Sequence, residues 1–202
     1  MISYINILIF ILGGTFVSLL SNKLLLRFSQ SLGIRNKNDV TVRWSNQSKP
    51  SLGGIGLFLG FLFATFLYLI LEPDINVFGN IEFIGLFFSA SLAFSMGLAD
   101  DAYDTKPLFK LFVQLSCGLF LVLSGTSIDL FHHVVLDSIT TVVWVVILMN
   151  SLNMLDNMDG ITATTVLFAL LACLVSAMLV GDSNQLYWLY ILVAVIGSVL
   201  GF

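Results

Sequence analysis

The sequence predicts an all-α polytopic membrane protein, and three observations carry that prediction. Of its 202 residues 58% are hydrophobic and 10% charged, with a mean hydropathy of +1.01, whereas a soluble domain gives about a quarter of its residues to charge. Seven apolar runs are of the length, roughly 20 residues, that lets an α-helix cross about 30 Å of hydrocarbon. None shows the polar/apolar alternation over about ten residues that marks a lipid-facing barrel strand, so backbone polar groups must be satisfied within helices.

The first run, Ile2 to Leu26, has neither the basic start nor the small-residue cleavage site of a signal peptide, and further runs follow it; it reads as a membrane helix. The second spans Leu52 to Leu71. The third, Ile81 to Ala99, is ended by Asp100 and Asp101, and the fourth runs from Leu108 to Leu123. The fifth, Val134 to Met149, is the weakest because Asp137 lies near its start. Ile161 to Val180 and Leu186 to Phe202 complete the set. The last run stops on Leu200, Gly201 and Phe202 with no polar residue to mark an exit from the bilayer. The chain therefore reads as a single transmembrane domain over 1–202, truncated at its C-terminus as an N-terminal fragment. Cys117 and Cys173 both fall inside runs, where a thiol is most often a small apolar packing group.

Charge gives an orientation. Lys23, Arg27, Arg35, Lys37, Arg43 and Lys49 follow the first run, and Lys106 and Lys110 follow the third. With seven spans these eight cations share one side, which the positive-inside rule assigns to the cytoplasm, leaving the N-terminus outside. The segment Asn150 to Gly160 then also faces inward. There is no basic face carrying exposed aromatics, so nucleic-acid binding has no support. His132 and His133 lie on the outer side, away from the other polar clusters, and take no role.

Three inward segments carry candidate chemistry. The first is Gly97 to Gln114, with Asp100 and Asp101 at a helix end. A carboxylate at mid-bilayer costs about 2.5–3.5 kcal/mol on insertion scales, and adjacent acids oppose each other's ionisation unless a cation intervenes. The pair is therefore expected at the water boundary, beside a divalent metal and Lys106 or Lys110; the plain alternative is a solvated helix end. The second segment repeats Asn150, Asn153, Asp156 and Asp159 at steps of three, which on a helix fans through about 180°, so the set should straddle a helix end and a loop. Hard oxygen donors of this kind suit Mg²⁺, although Asn, Asp and Gly also make ordinary turns. The third is Lys49-Pro-Ser-Leu-Gly-Gly-Ile-Gly56. Its glycines at a helix start suit an anion, and Gly56 and Gly60, four apart, equally suit close helix packing in lipid.

Together these segments resemble the polyprenyl-phosphate N-acetylhexosamine-1-phosphate transferases, the family of WecA, TagO and MraY. Asp100, Asp101, Lys110 and Gln114 match a GL-x-DD…K…Q pattern. Asn150, Asn153, Asp156, Asp159 and Gly160 match N-A-x-N-x-x-D-G-x-D-G, with Ser151 in place of the usual Ala and Asn157 in place of the first Gly. Pro50, Gly53 and Gly54 match P-x-x-GG. Leu108 stands where some members carry a second Lys, with Lys106 two residues earlier. Members have ten or eleven spans, of which seven are present here, and a later metal-binding Asp and His-rich loop are not in this chain.

The resemblance implies transfer of a sugar 1-phosphate from a UDP-amino sugar to polyprenyl (undecaprenyl) phosphate, releasing UMP, in cell-envelope polysaccharide synthesis such as that of the cell wall or lipopolysaccharide. It implies a bacterial inner membrane location with a cytoplasmic site, Mg²⁺ as cofactor with Mn²⁺ able to replace it, and a homodimer as a compatible assembly. Asp100 is then the catalytic base and Asp101 its support, in either order. Asp156 and Asn153 face the metal. Lys49, Lys110, Asn150, Asn153 and Asp159 bind substrate. Two readings from other classes stay open: a cation transporter or channel, since intramembrane acids mark ion paths, and a non-catalytic remnant.

Overall fold

The computed structural model describes residues 4–28, 53–71, 77–103, 105–155, 160–180 and 186–202. Among them are seven α-helices and no strand: α1 (Tyr4–Phe28), α2 (Gly53–Leu71), α3 (Ile81–Tyr103), α4 (Pro107–Leu123), α5 (Val134–Leu155), α6 (Ile161–Val180) and α7 (Leu186–Leu200), with a short 3₁₀ turn at Val77–Gly79. α1, α2, α3, α5 and α6 are long and apolar enough to cross a membrane, and α4 and α7 are shorter apolar helices. Leu8, Leu12 and Phe16 on α1, Phe112 and Leu119 on α4, and Ile139, Val143 and Ile147 on α5 are all exposed. Apolar side chains in such numbers on an outer surface are what a hydrocarbon solvent selects. The fold is an all-α polytopic membrane fold.

The chain forms two compact units, residues 1–67 with 170–202, and 68–169. In the first, α1 packs on α7 through small residues. A side chain at Gly14 would run into the Ala194 carbonyl, and one at Gly197 into the Ile11 carbonyl, so only glycine lets these backbones approach so closely. The Thr15 hydroxyl lies 2.9 Å from the carbonyls of both Ile11 and Gly197, tying the two helices together. Phe10 stacks on Tyr190 with ring centroids 4.9 Å apart.

The second unit is an up-and-down arrangement of α3, α4 and α5, in which α4 contacts both neighbours. Asn80 starts α3 as an N-cap, its side-chain oxygen accepting the Phe83 N–H at 3.1 Å, a bond that satisfies one of the orphan donors of a helix start. Pro107 occupies the first turn of α4, where its missing N–H costs nothing. Met96 of α3, Val113 and Cys117 of α4, and Val145 and Met149 of α5 share one apolar cluster. Ser89 donates to the Cys117 carbonyl at 2.9 Å, and the Cys117 thiol donates to the Ser89 carbonyl at 3.5 Å. Cys117 is thus the buried packing group expected of it, while Cys173 is exposed on α6. At Gly118 a side chain would meet the Val142 backbone, which fixes how closely α4 and α5 approach.

Two helices run past the apolar runs that mark them in the sequence. α3 does not stop at Ala99 but carries Asp100 and Asp101 in its last turn. α5 does not stop at Met149 but continues through Asn150 and Asn153 to Leu155. Polar residues mark an exit from a helix only when their partners are water. Here Asp100 and Asn150 find partners on α4 and near its start, so the helical backbone carries on past them. At the other end, Asp137 does not weaken the fifth span; it organises the chain that enters it.

Candidate active site

Directly beyond the apolar cluster of the second unit, one turn on from Met96, Val113 and Met149, lies a row of polar side chains. Asp100, in the last turn of α3, forms an ion pair with Lys110 of α4; the Nζ is 2.6 Å from Oδ1 and 2.7 Å from Oδ2. Thr105, in the tight connection between the two helices, donates both its hydroxyl (2.8 Å) and its backbone N–H (3.1 Å) to Oδ1. The carboxylate therefore sits close to the amino end of α4, whose dipole favours negative charge. Among the described residues Oδ1 receives three donors and Oδ2 one, the lysine, so the two oxygens are not equivalent. Both charged side chains are about a quarter exposed (Lys110 29%, Asp100 26%), so the pair stays within reach of a substrate.

One turn along α4 from Lys110 is Gln114, buried against α5. Gln114 and Asn150 exchange hydrogen bonds: the Asn150 amide nitrogen donates to Gln114 Oε1 at 2.8 Å, and the Gln114 nitrogen donates to Asn150 Oδ1 at 3.3 Å. The Asn150 nitrogen also donates to the Val146 carbonyl at 2.9 Å. Both its N–H groups are thereby engaged, and one lone pair of Oδ1 remains. In this arrangement Asn150 is a joint between α4 and α5 first. Asn153, three residues on and neighbouring Asn150 along the helix, is exposed at the end of α5.

The structure thus brings together Asp100, Lys110, Gln114 and Asn150 in one continuous row, with Asn153 extending it. Asp101, adjacent to Asp100 and so about 100° round the helix, is exposed. Of the two lysines expected to balance the acidic pair, Lys110 does so for Asp100. Lys106 is the exposed N-cap residue of α4, its side chain making no capping bond. Thr105 is the residue that the sequence reading missed, and Gln114 was matched there without a role. Lys49, Asp156 and Asp159 lie outside the described residues.

The glycine segment at the start of α2, in the other unit, favours packing over anion binding at three of its four positions. A side chain at Gly53 would strike the Phe202 ring, one at Gly56 the Asn22 amide, and one at Gly60 the Ser198 hydroxyl. Gly54 has open space. The helix-packing reading of Gly56 and Gly60 is the one that the contacts bear out.

Among the described residues no group of three or more His, Cys, Asp or Glu side chains converges as a metal centre would require. The described oxygen donors are Asp101, Asn153, an Asp100 held by Lys110 and an Asn150 held by Gln114, which do not by themselves make a divalent-cation site.

Compared with known proteins, residues 83–202, more than half of the chain, match a family model described as Glycosyl transferase family 4. This match covers the whole row and agrees with the resemblance carried by the motifs. No curated protein and no solved structure gave a match.

Proposed function

Since this chain belongs to glycosyl transferase family 4 and is a multi-pass membrane transferase, we propose that it moves a sugar 1-phosphate from a UDP-N-acetylhexosamine onto a polyprenyl phosphate, releasing UMP. The observation that carries this reading is the Asp100 and Lys110 pair, joined through Gln114 to Asn150, inside the segment that the family match covers. A carboxylate and an ammonium in contact, partly exposed at a helix end, provide a proton acceptor and an anion anchor side by side.

In the proposed reaction an oxygen of the lipid phosphate attacks the β-phosphorus of the nucleotide sugar. The bond between the β-phosphorus and the bridging oxygen breaks, and UMP leaves. The incoming pyrophosphate competes with Asp100 for Lys110. As the ammonium turns toward phosphate, Thr105 keeps Oδ1 fixed and Oδ2 is presented to the proton of the lipid phosphate. Positioned proton transfer of this kind contributes about 10²–10⁴-fold. Gln114 holds Asn150, and through it the end of α5, so that Asn153 is set at the mouth of the site. Asp101 supports substrate beside Asp100. Asp156 with Asn153 would hold Mg²⁺ or Mn²⁺, which when bound neutralises pyrophosphate charge; Lys49 and Asp159 complete the substrate contacts.

The same reading places the protein in a bacterial inner membrane with the site cytoplasmic and the N-terminus outside, acting in cell-envelope polysaccharide synthesis. Lys110 seated on Asp100 puts the protein's own cation where a permeating one would bind, which weighs against the ion-path alternative. The test is UMP release by membranes carrying the full-length protein, with UDP-N-acetylhexosamine and undecaprenyl phosphate. Activity lost with a metal chelator and in Asp100→Asn and Asp156→Asn, with insertion intact, supports the reading. Cation flux in vesicles without UMP release would replace it with a transporter.

A further inference from the structure

At the end of the second unit opposite Asp100, ten residues, 124–133, join α4 to α5 without regular structure. Four of their backbone donors turn inward onto two side chains of α5. Asp137 Oδ1 accepts the N–H groups of Leu130 (3.1 Å) and Phe131 (2.8 Å), and Oδ2 accepts that of His133 (2.8 Å). One turn on, Thr141 Oγ1 accepts the Ile128 N–H at 2.8 Å while donating to the Asp137 carbonyl at 2.7 Å. Both side chains are buried, Asp137 to 6% exposure. His132 takes a positive φ of 54°, a region that His tolerates better than most residues, and there the chain reverses into α5.

The apolar side chains of the same segment turn outward. Leu130 is 60% and Phe131 55% exposed, and they run directly into Val134, Val135 and Ile139 on the outer surface of α5. The titratable side chains of the segment are Asp129, His132 and His133, all exposed, and His132 Nδ1 lies 2.9 Å from Asp129 Oδ1. Four backbone donors gathered on a buried carboxylate and a buried hydroxyl need nothing from water, which meets the condition set by hydrocarbon, where irregular backbone is tolerated only when its polar groups are satisfied by protein.

We propose that Leu130 and Phe131 form a lipid-seated wedge: the two side chains rest in the headgroup and acyl boundary of the bilayer, continuing the lipid-facing surface of α5, while Asp129 beside them stays in water, and Asp137 is the bracket that holds the wedge in shape. The occupant of this surface is the bilayer itself. Aromatic and aliphatic side chains at that depth anchor a helix end, so the wedge fixes how far α5 stands in the membrane, and with it the depth of Asn150 at the other end of the helix.

The test is a spin label at position 131, introduced as Phe131→Cys in a Cys173→Ala background of the full chain in liposomes, with Cys117 left in its buried place. Collision with oxygen, which concentrates in lipid, is compared with collision with a water-soluble nickel chelate. Controls are labels introduced as Val143→Cys on the lipid face and Asp129→Cys on the loop. Oxygen access at 131 matching that at 143 is the expected result. Nickel access matching that at 129 would overturn the proposal in favour of a solvated loop, and protection from both reagents would overturn it in favour of a protein partner. In Asp137→Asn the label at 131 should move several-fold toward nickel access while a label at 143 does not; an unchanged label at 131 would remove Asp137 from its role as bracket. Should that variant fail to insert, the comparison in the parent chain decides by itself.

Discussion

The two ends of the three-helix unit each carry an aspartate near a helix terminus, and they solve the problem of a carboxylate near lipid in opposite ways. Asp137 is buried and receives its hydrogen bonds from three backbone N–H groups. Asp100 is partly exposed and receives its bonds from a lysine ammonium, a threonine hydroxyl and one N–H. Backbone donors cannot leave without unfolding the loop that bears them, so Asp137 is committed to structure. An ammonium on a flexible stem can be drawn off by a competing anion, so Asp100 can be released for chemistry. What separates a structural acid from a reactive one here is the mobility of its partners, since both are well satisfied.

That contrast is broken most severely by exchanging carboxylate for amide at each end. Asp100→Asn should lower UMP release by about 100-fold or more and leave insertion and thermal stability in detergent nearly unchanged. Asp137→Asn should do the reverse, lowering the unfolding temperature while the activity per folded molecule stays within a few-fold of the parent. If both substitutions cost activity and stability alike, the division of labour fails.

The link between α4 and α5 sharpens the picture. Gln114→Ala and Asn150→Ala should each reduce turnover about tenfold, and the double substitution should cost little more than either alone, because each removes the same pair of hydrogen bonds; contacting residues are non-additive by about 0.5–3 kcal/mol. Strict additivity in UMP release would show the two amides acting independently. The smallest effect is expected at Thr105. Thr105→Val should lower kcat by up to about tenfold, in line with about 1.5 kcal/mol for a hydrogen bond to a charged group, with KM little changed. Thr105→Ser should restore it.

Much of this was legible in the sequence, for physical reasons that also explain what was not. Hydrocarbon demands long unbroken apolar runs, so all seven helices could be placed, and the close approach of Gly56 and Gly60 to Asn22 and Ser198 follows the small-residue rule for packing in lipid. The apolar runs stop short of the ends of α3 and α5 because hydropathy breaks at Asp100 and Asn150, whose partners, ten and 36 residues away, are not in view. Charge balance alone called for Lys106 or Lys110 beside Asp100, and the ion pair with Lys110 appears only in the fold. Thr105 carried no signal, since a threonine in a short connection is commonplace and only the folded turn shows its two donors converging on one oxygen. Asp137 gave the opposite impression of its role, because hydropathy counts a buried acid as a penalty and cannot see three backbone donors gathered around it.

In the proposed reaction a phosphate travels with the sugar, so the identity of the released nucleotide distinguishes it from transfer of the sugar alone. Purified full-length protein in liposomes containing undecaprenyl phosphate, supplied with UDP-N-acetylhexosamine labelled with ³²P at the β-phosphate, should release unlabelled UMP and leave the label on the lipid. Release of labelled UDP, with an unlabelled lipid product, would contradict the account and make the protein a transferase of the sugar alone.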